Sequence, residues 1–121
     1  MKKRLTTHQI IDETVEYYKN NPRGIQGENC EYLTDDGKMC AVGRCLTPKS
    51  VQIAQTKFNG KTFDNLDKSI IKFKSKYQGH SDTFWYNLQF LHDAKKNWDG
   101  NKLTEEGERR VKILKEKFVN I

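Results

Sequence analysis

The residues with the most chemical potential lie in "CEYLTDDGKMCAVGRC", residues 30–45, which holds all three cysteines of the chain. Their spacing is Cys-x9-Cys-x4-Cys, at Cys30, Cys40 and Cys45. A structural zinc site closes tetrahedrally on four thiolate or imidazole ligands and usually draws its cysteines in close pairs. Cys40 and Cys45 fit one such pair. Cys30 can join from across a hairpin, and His80 or His92 can be the fourth ligand. No second close pair exists, so the three cysteines are weak zinc candidates and the sequence calls for no cofactor. A cysteine nucleophile needs a thiolate in an electropositive, partly open setting with a base in reach. Arg44 adjoins Cys45, and His92 is the available base. Asp93 follows His92 on the same helix, about 100° away around the axis, and reads as badly placed to orient that ring. The bland alternative is a set of small buried hydrophobes. No phosphate loop, nucleophile elbow or zinc-protease motif appears, so a binding protein is favoured over an enzyme.

A second group of residues has the chemistry of anion capture. The net charge is +6, weighted toward the second half of the chain. Residues 57–76 hold six lysines against two aspartates, Lys72 and Lys76 among them. A phosphorylated ligand needs such cations for its phosphates and aromatic faces for a base. Arg44, Lys72 and Lys76 are candidates for the first role, and Tyr32, Trp85 and Trp98 for the second. Gln89, His92 and Asp93 of "LQFLHD" would line the same pocket. Sequence-specific DNA recognition calls for Arg, Asn or Gln aimed at base edges, and lysine alone positions without specifying. Nonspecific nucleic-acid binding stays open as an alternative.

These residues must be positioned by a small fold. A chain of 121 residues reads as one domain spanning residues 1–121. No apolar run is long enough to cross a bilayer. The basic start "MKKRLTTHQI" lacks the apolar stretch of a signal peptide. With an odd cysteine count, this points to a reducing, cytoplasmic setting and away from disulfides. Thr6 and Gln9 form a capping box for a first helix that stops at Asn20-Asn21-Pro22. "PRGIQGEN" reads as a loop. The cysteine-rich stretch reads as a β-hairpin over about residues 30–43, turning at Asp36-Gly37. A two-residue loop would pair Leu33 with Cys40, whereas a three-residue loop would pair Tyr32 with Cys40 and bring Cys30 and Cys40 to one face.

Thr47-Pro48 starts a short helix, and Asn59-Gly60 reads as a turn. Leu66, Ile70, Phe73 and Tyr77 have the spacing of an amphipathic helix, with Lys68, Lys72 and Lys76 along its far side. Ser81 caps a helix through "LQFLHD", with Asn97 to Gly100 as the closing turn. Thr104 caps a last helix with acids in its first turn. The expected class is mainly α (α+β), four to five helices with one small hairpin.

The motif "C-x-Y-x-T-x-D-G-x-x-C-A-V-G-x-C-L", followed by "LQ-x-x-H-D" and a nearby Trp, resembles a set of small phage and bacterial proteins of unassigned function. The matching positions are Cys30, Tyr32, Asp36, Gly37, Cys40, Ala41, Val42, Gly43, Cys45 and Leu46, then Leu88, Gln89, His92, Asp93 and Trp98. The resemblance implies that the hairpin and the "LQFLHD" helix form one packed unit, and it is consistent with a phage origin. In that setting the expected function is capture of an anionic small molecule, a nucleotide immune signal above all, as a counter-defence factor in the host cytosol. The alternatives are a protein–protein inhibitor of a host enzyme and a nonspecific nucleic-acid binder. A homo-oligomer is compatible with either.

Overall fold

A computed structural model of the chain describes residues 4–26, 29–58 and 66–121; at residues 26, 29 and 30 it describes the backbone. The Asn59-Gly60 turn and the side chain of Cys30 lie outside the described residues. The architecture is mainly α with small antiparallel β elements. Its α-helices are α1 (Thr7–Asn20), α2 (Pro48–Lys57), α3 (Asp82–Asp93) and α4 (Glu105–Lys117). Two short antiparallel ribbons accompany them: β1 (Ile25–Gln26) with β2 (Asn29–Cys30), and β3 (Trp98–Asp99) with β4 (Lys102–Leu103). No helix among the described residues is long and apolar enough to cross a membrane.

Each helix begins where its capping chemistry dictates. Thr6 and Gln9 exchange side-chain and backbone hydrogen bonds in the capping box of α1. Thr47, Ser81 and Thr104 accept from the amide three residues on in α2, α3 and α4. Each cap satisfies an amide that the helix cannot. The core forms where α3 lays Phe84, Trp85, Leu88 and Leu91 against Ile10 and Ile11 of α1, the segment 40–46, and Val51 and Ala54 of α2. Phe84 meets Phe118 edge-on at 5.4 Å, and this brings the end of α4 onto α3.

The cysteine-rich hairpin is present in outline. Leu33 pairs with Met39, and Thr34 N–H donates to the Lys38 carbonyl at 2.8 Å. This is the register of the three-residue loop, with Gly37 at φ 87° in the position where such loops need a left-handed residue. The ladder is one bridge long. Beyond it the chain turns into a 3-10 segment, Gly43–Cys45, and Gly43 packs against the carbonyl of Tyr32, where no side chain fits. "PRGIQGEN", expected as a plain loop, contributes the β1–β2 ribbon.

The helix expected over residues 66–77 is not formed. Asp67 accepts from the backbone and side chain of Ser69, which makes a local turn instead. The chain then runs extended beside residues 45–47, with Thr47 N–H donating to the Lys72 carbonyl and Lys74 N–H to the Cys45 carbonyl. Leu66 and Tyr77 are buried as expected, but Ile70 is exposed and Ile71 takes the core position. Trp98, expected in a closing turn, lies in β3, and Gly100 makes the turn at φ 61°.

Gly43→Ala should therefore lower unfolding free energy by about 2 kcal/mol or more, since backbone must move to admit the methyl group. Gly37→Asn, in the open left-handed position, should cost less than about 1 kcal/mol. Urea denaturation of the two variants reads the contrast, and equal effects would contradict the packing described for Gly43.

Candidate functional site

Five of the residues singled out in the sequence, Cys40, Gln89, His92, Asp93 and Trp98, converge around the last turn of α3. Gln89 and Asp93 are one helical turn apart, and Gln89 Nε2 donates to Asp93 Oδ1 at 2.6 Å. Its carbonyl oxygen accepts from the Val42 amide at 3.0 Å, so α3 grips the cysteine-rich segment directly. His92 is fully buried. Its Nε2 accepts from the Gly24 amide at 3.0 Å, which leaves the ring proton on Nδ1, 2.6 Å from Asp93 Oδ1. Asp93 does orient the His92 ring, contrary to the expectation from helical angles. It is the last residue of α3, and its carboxylate is drawn back along the helix by Gln89. Arg23 donates to the His92 carbonyl at 2.7 Å and lies 5.7 Å from the Trp98 ring centroid.

The result is a continuous polar chain from Val42 through Gln89, Asp93 and His92 to Gly24. Both ring nitrogens of His92 are committed to the fold. Burial holds its pKa below the ordinary value of 6.5, against the opposing pull of Asp93. A neutral, doubly hydrogen-bonded, inaccessible imidazole has no position open for base catalysis.

The cysteines have the same character. Cys40 is buried, and its sulfur accepts from the Gly43 amide at 3.2 Å. Burial pushes its thiol pKa far up, and that of Cys45 up to about 12, even with Arg44 adjacent. Thiols in this state are packing groups and not nucleophiles. Among the described residues, no three His, Cys, Asp or Glu side chains are grouped to hold a metal ion.

Arg44 belongs to a second polar knot. Its guanidinium donates to Glu13 at 2.8 Å, to Thr14 at 3.0 Å and to the Tyr77 hydroxyl at 3.2 Å, and lies 5.1 Å from the Tyr17 ring centroid. Tyr77 also hydrogen-bonds Glu13, and Lys76 stands 4.0 Å from the same carboxylate. Burial raises the Glu13 carboxyl pKa, but the bonds from Tyr77 and Arg44 outweigh it and leave the group below its ordinary value. Arg44 is thus neutralised inside the molecule. Its Nε and the side-chain oxygen of Asn97 are buried without a hydrogen-bond partner among the described residues.

The aromatic candidates are also consumed by the fold. Trp85 stacks on Phe73 at 4.3 Å, and Trp98 donates its indole N–H to the Leu91 carbonyl at 2.8 Å. Tyr32, Trp85 and Trp98 are all buried. Lys72 and Lys76 are exposed, on an extended segment and its 3-10 turn, and so do not form a helical stripe.

An open groove lies elsewhere, between α1, the β3–β4 turn and α4. It has a volume of about 530 Å³ and is lined by Val15, Lys19, Asn101, Lys102, Leu103 and Glu108. Asn101 is held by donating to the Lys19 carbonyl at 3.3 Å. None of these residues stood out in the sequence. They come from two segments far apart in the chain, α1 and residues 101–108, and carry no motif, and the turn signal at Asp99-Gly100 was the one available hint that two of them project together. No protein-family model, curated protein or solved structure matches the chain.

Two measurements follow. In native protein, peptide mapping after alkylation near neutral pH should find Cys40 and Cys45 modified about a hundredfold or more slowly than in denatured protein; rapid native labelling of either would restore it as a candidate nucleophile. His92 has a folded-state pKa below its unfolded value, so the unfolded chain takes up its proton first as pH falls. The stability this confers is present above about pH 6.5 and is lost as pH drops toward the folded pKa. Denaturant titrations at pH 7.5 and 5.5 should show a smaller loss in His92→Gln than in the wild type, and an equal loss would contradict the buried neutral ring.

Proposed function

We propose that this protein is a non-catalytic binding protein for a phosphorylated small molecule, taken up in the groove between α1, the β3–β4 turn and α4. The observation that carries the reading is the composition of that groove. Lys19 and Lys102 supply cations for phosphate, Asn101 an amide, Glu108 an acceptor for hydroxyl or amino groups, and Val15 and Leu103 an apolar wall. Its volume of about 530 Å³ is in the range of small-molecule sites. A nucleotide combines all the groups these side chains complement. The state of the cysteines and of His92 supports binding over catalysis, because each is used to build the interior.

The sequence resemblance to small phage and bacterial proteins of unassigned function, read as a phage origin, directs the choice of ligand. A nucleotide signal of bacterial defence is the first to test, and its sequestration would make the protein a counter-defence factor. The cationic site differs from the one expected around Arg44 and Trp98, whose side chains face inward.

A panel of mononucleotides, dinucleotides and cyclic nucleotides should contain at least one that raises the melting temperature. At a hundredfold excess over Kd the stabilisation is about 2.7 kcal/mol, a shift of several degrees for a domain of this size. Lys19→Gln with Lys102→Gln should abolish the shift at a small cost to the free protein, since Lys19 also pairs with Glu16 at 3.5 Å in the last turn of α1, and added salt should weaken binding. A panel with no stabilising member, or a shift unaffected by the double variant, would overturn the assignment of the groove.

A further inference from the structure

A different face of the molecule combines exposed apolar side chains with cations. Phe84 meets Phe118 and Phe90 meets Arg110, so α3 and α4 run antiparallel. Their inner lines enter the core. Their outer lines leave Tyr86 45% exposed, Phe90 43% and Ile113 41%. Tyr86 and Phe90 are one turn apart on α3, and Arg110, Ile113 and Lys117 follow one another at helical spacing on α4. The Arg110 guanidinium sits 5.7 Å from the Phe90 ring centroid and joins the two lines into one surface.

The charges on this surface that stand outside ion pairs are cationic. Glu106, on the same line of α4, is engaged by Arg109 at 2.8 Å and lies 3.8 Å from Lys96. Arg110 and Lys117 form no ion pair with a described residue. The surface therefore presents three apolar anchors and two cations outside any ion pair among the described residues, while the carboxylates on the same two lines, Glu106 and Asp82, are engaged by Arg109, Lys96 and Lys68. Exposed aromatics flanked by arginine have the composition of binding hot spots.

We propose that this α3–α4 face docks an acidic amphipathic helix of a partner protein. Apolar side chains at helical spacing on the partner would lie over Tyr86, Phe90 and Ile113, as in helix-in-groove recognition. Carboxylates flanking that stripe would meet Arg110 and Lys117. A second copy of this chain is a poor occupant, because a two-fold contact brings two copies of the same patch together and so adds cations to the face without adding the carboxylates that would match them. A single-stranded nucleic acid is also poorly matched. Bases stack on open ring faces, whereas Phe90 carries Arg110 over its ring and Ile113 has no ring to offer. The face is separate from the groove of Lys19 and Lys102, so the proposal stands or falls independently of that site.

The test is selection of displayed helical 15-residue peptides on the intact protein, followed by affinity measurement of the enriched sequences. The expected result is enrichment of acidic peptides with apolar residues at i, i+3 or i+4, and i+7. Their affinity should fall about tenfold or more in Phe90→Ala and in Arg110→Glu, and should be unchanged in Lys19→Glu. Phe90 and Arg110 are at the surface, and circular dichroism of each variant confirms that the fold is retained. No enrichment, enrichment of basic or non-amphipathic peptides, or binding indifferent to both face variants would overturn the proposal. So would tighter binding of an oligothymidylate than of any peptide, or self-association abolished by Phe90→Ala.

Discussion

Two backbone amides, those of Gly24 and Val42, depend on one turn of one helix for their hydrogen bonds. Gln89 accepts from Val42 and His92 accepts from Gly24. Asp93 accepts from both of these side chains and fixes their orientation. A buried N–H without a partner forfeits the bond it made to water, a penalty of about 1–3 kcal/mol. The two loops that surround the cysteines are therefore placed by α3, and the rest of the interior is arranged around them. Tyr18 shows the consequence: its hydroxyl reaches the Met39 carbonyl at 2.6 Å, and its ring sits between His92 and Trp98, at 5.0 and 5.9 Å.

The Arg44 knot performs a comparable task on the other side of the cysteine-rich segment. It joins Glu13 and Thr14 of α1 to Tyr77, across a part of the chain with little regular structure. The Lys74 ammonium adds a bond to the Arg44 carbonyl at 3.2 Å. With only short β ribbons among its described residues, the fold relies on side chain–backbone bonds where larger proteins use sheet ladders. This accounts for the placement of so many reactive residue types inside. His92, Arg44, Cys40, Cys45, Trp85 and Trp98 are here structural parts.

Much of the helical framework was legible in the sequence, because its signals are local. Thr6, Thr47, Ser81 and Thr104 each announce a helix start through a bond to a near neighbour. The Asp36-Gly37 turn is equally local. The helix expected over residues 66–77 shows where such reasoning fails. Its apolar spacing was genuine, but the backbone found bonds to residues 45–47 that no periodicity can reveal. The packing of the cysteine-rich segment against the "LQFLHD" helix was foreseen, while the detail that does it was not. A helical wheel separates His92 from Asp93, and only the end of α3 with Gln89 one turn back brings the carboxylate to the ring. The groove residues Lys19, Asn101, Lys102 and Glu108 were invisible for a similar reason, since they meet only after α1 and α4 have packed on either side of the β3–β4 turn.

Residue-resolved hydrogen exchange on the native protein tests the central claim most directly. If one turn of α3 holds both loops, the amides of Gly24 and Val42 exchange only through global unfolding, with protection equal to that of the slowest core amides. Exchange of either amide through a much cheaper local opening, while the amides of α3 stay protected, would show that the loops are held by something other than Gln89, His92 and Asp93.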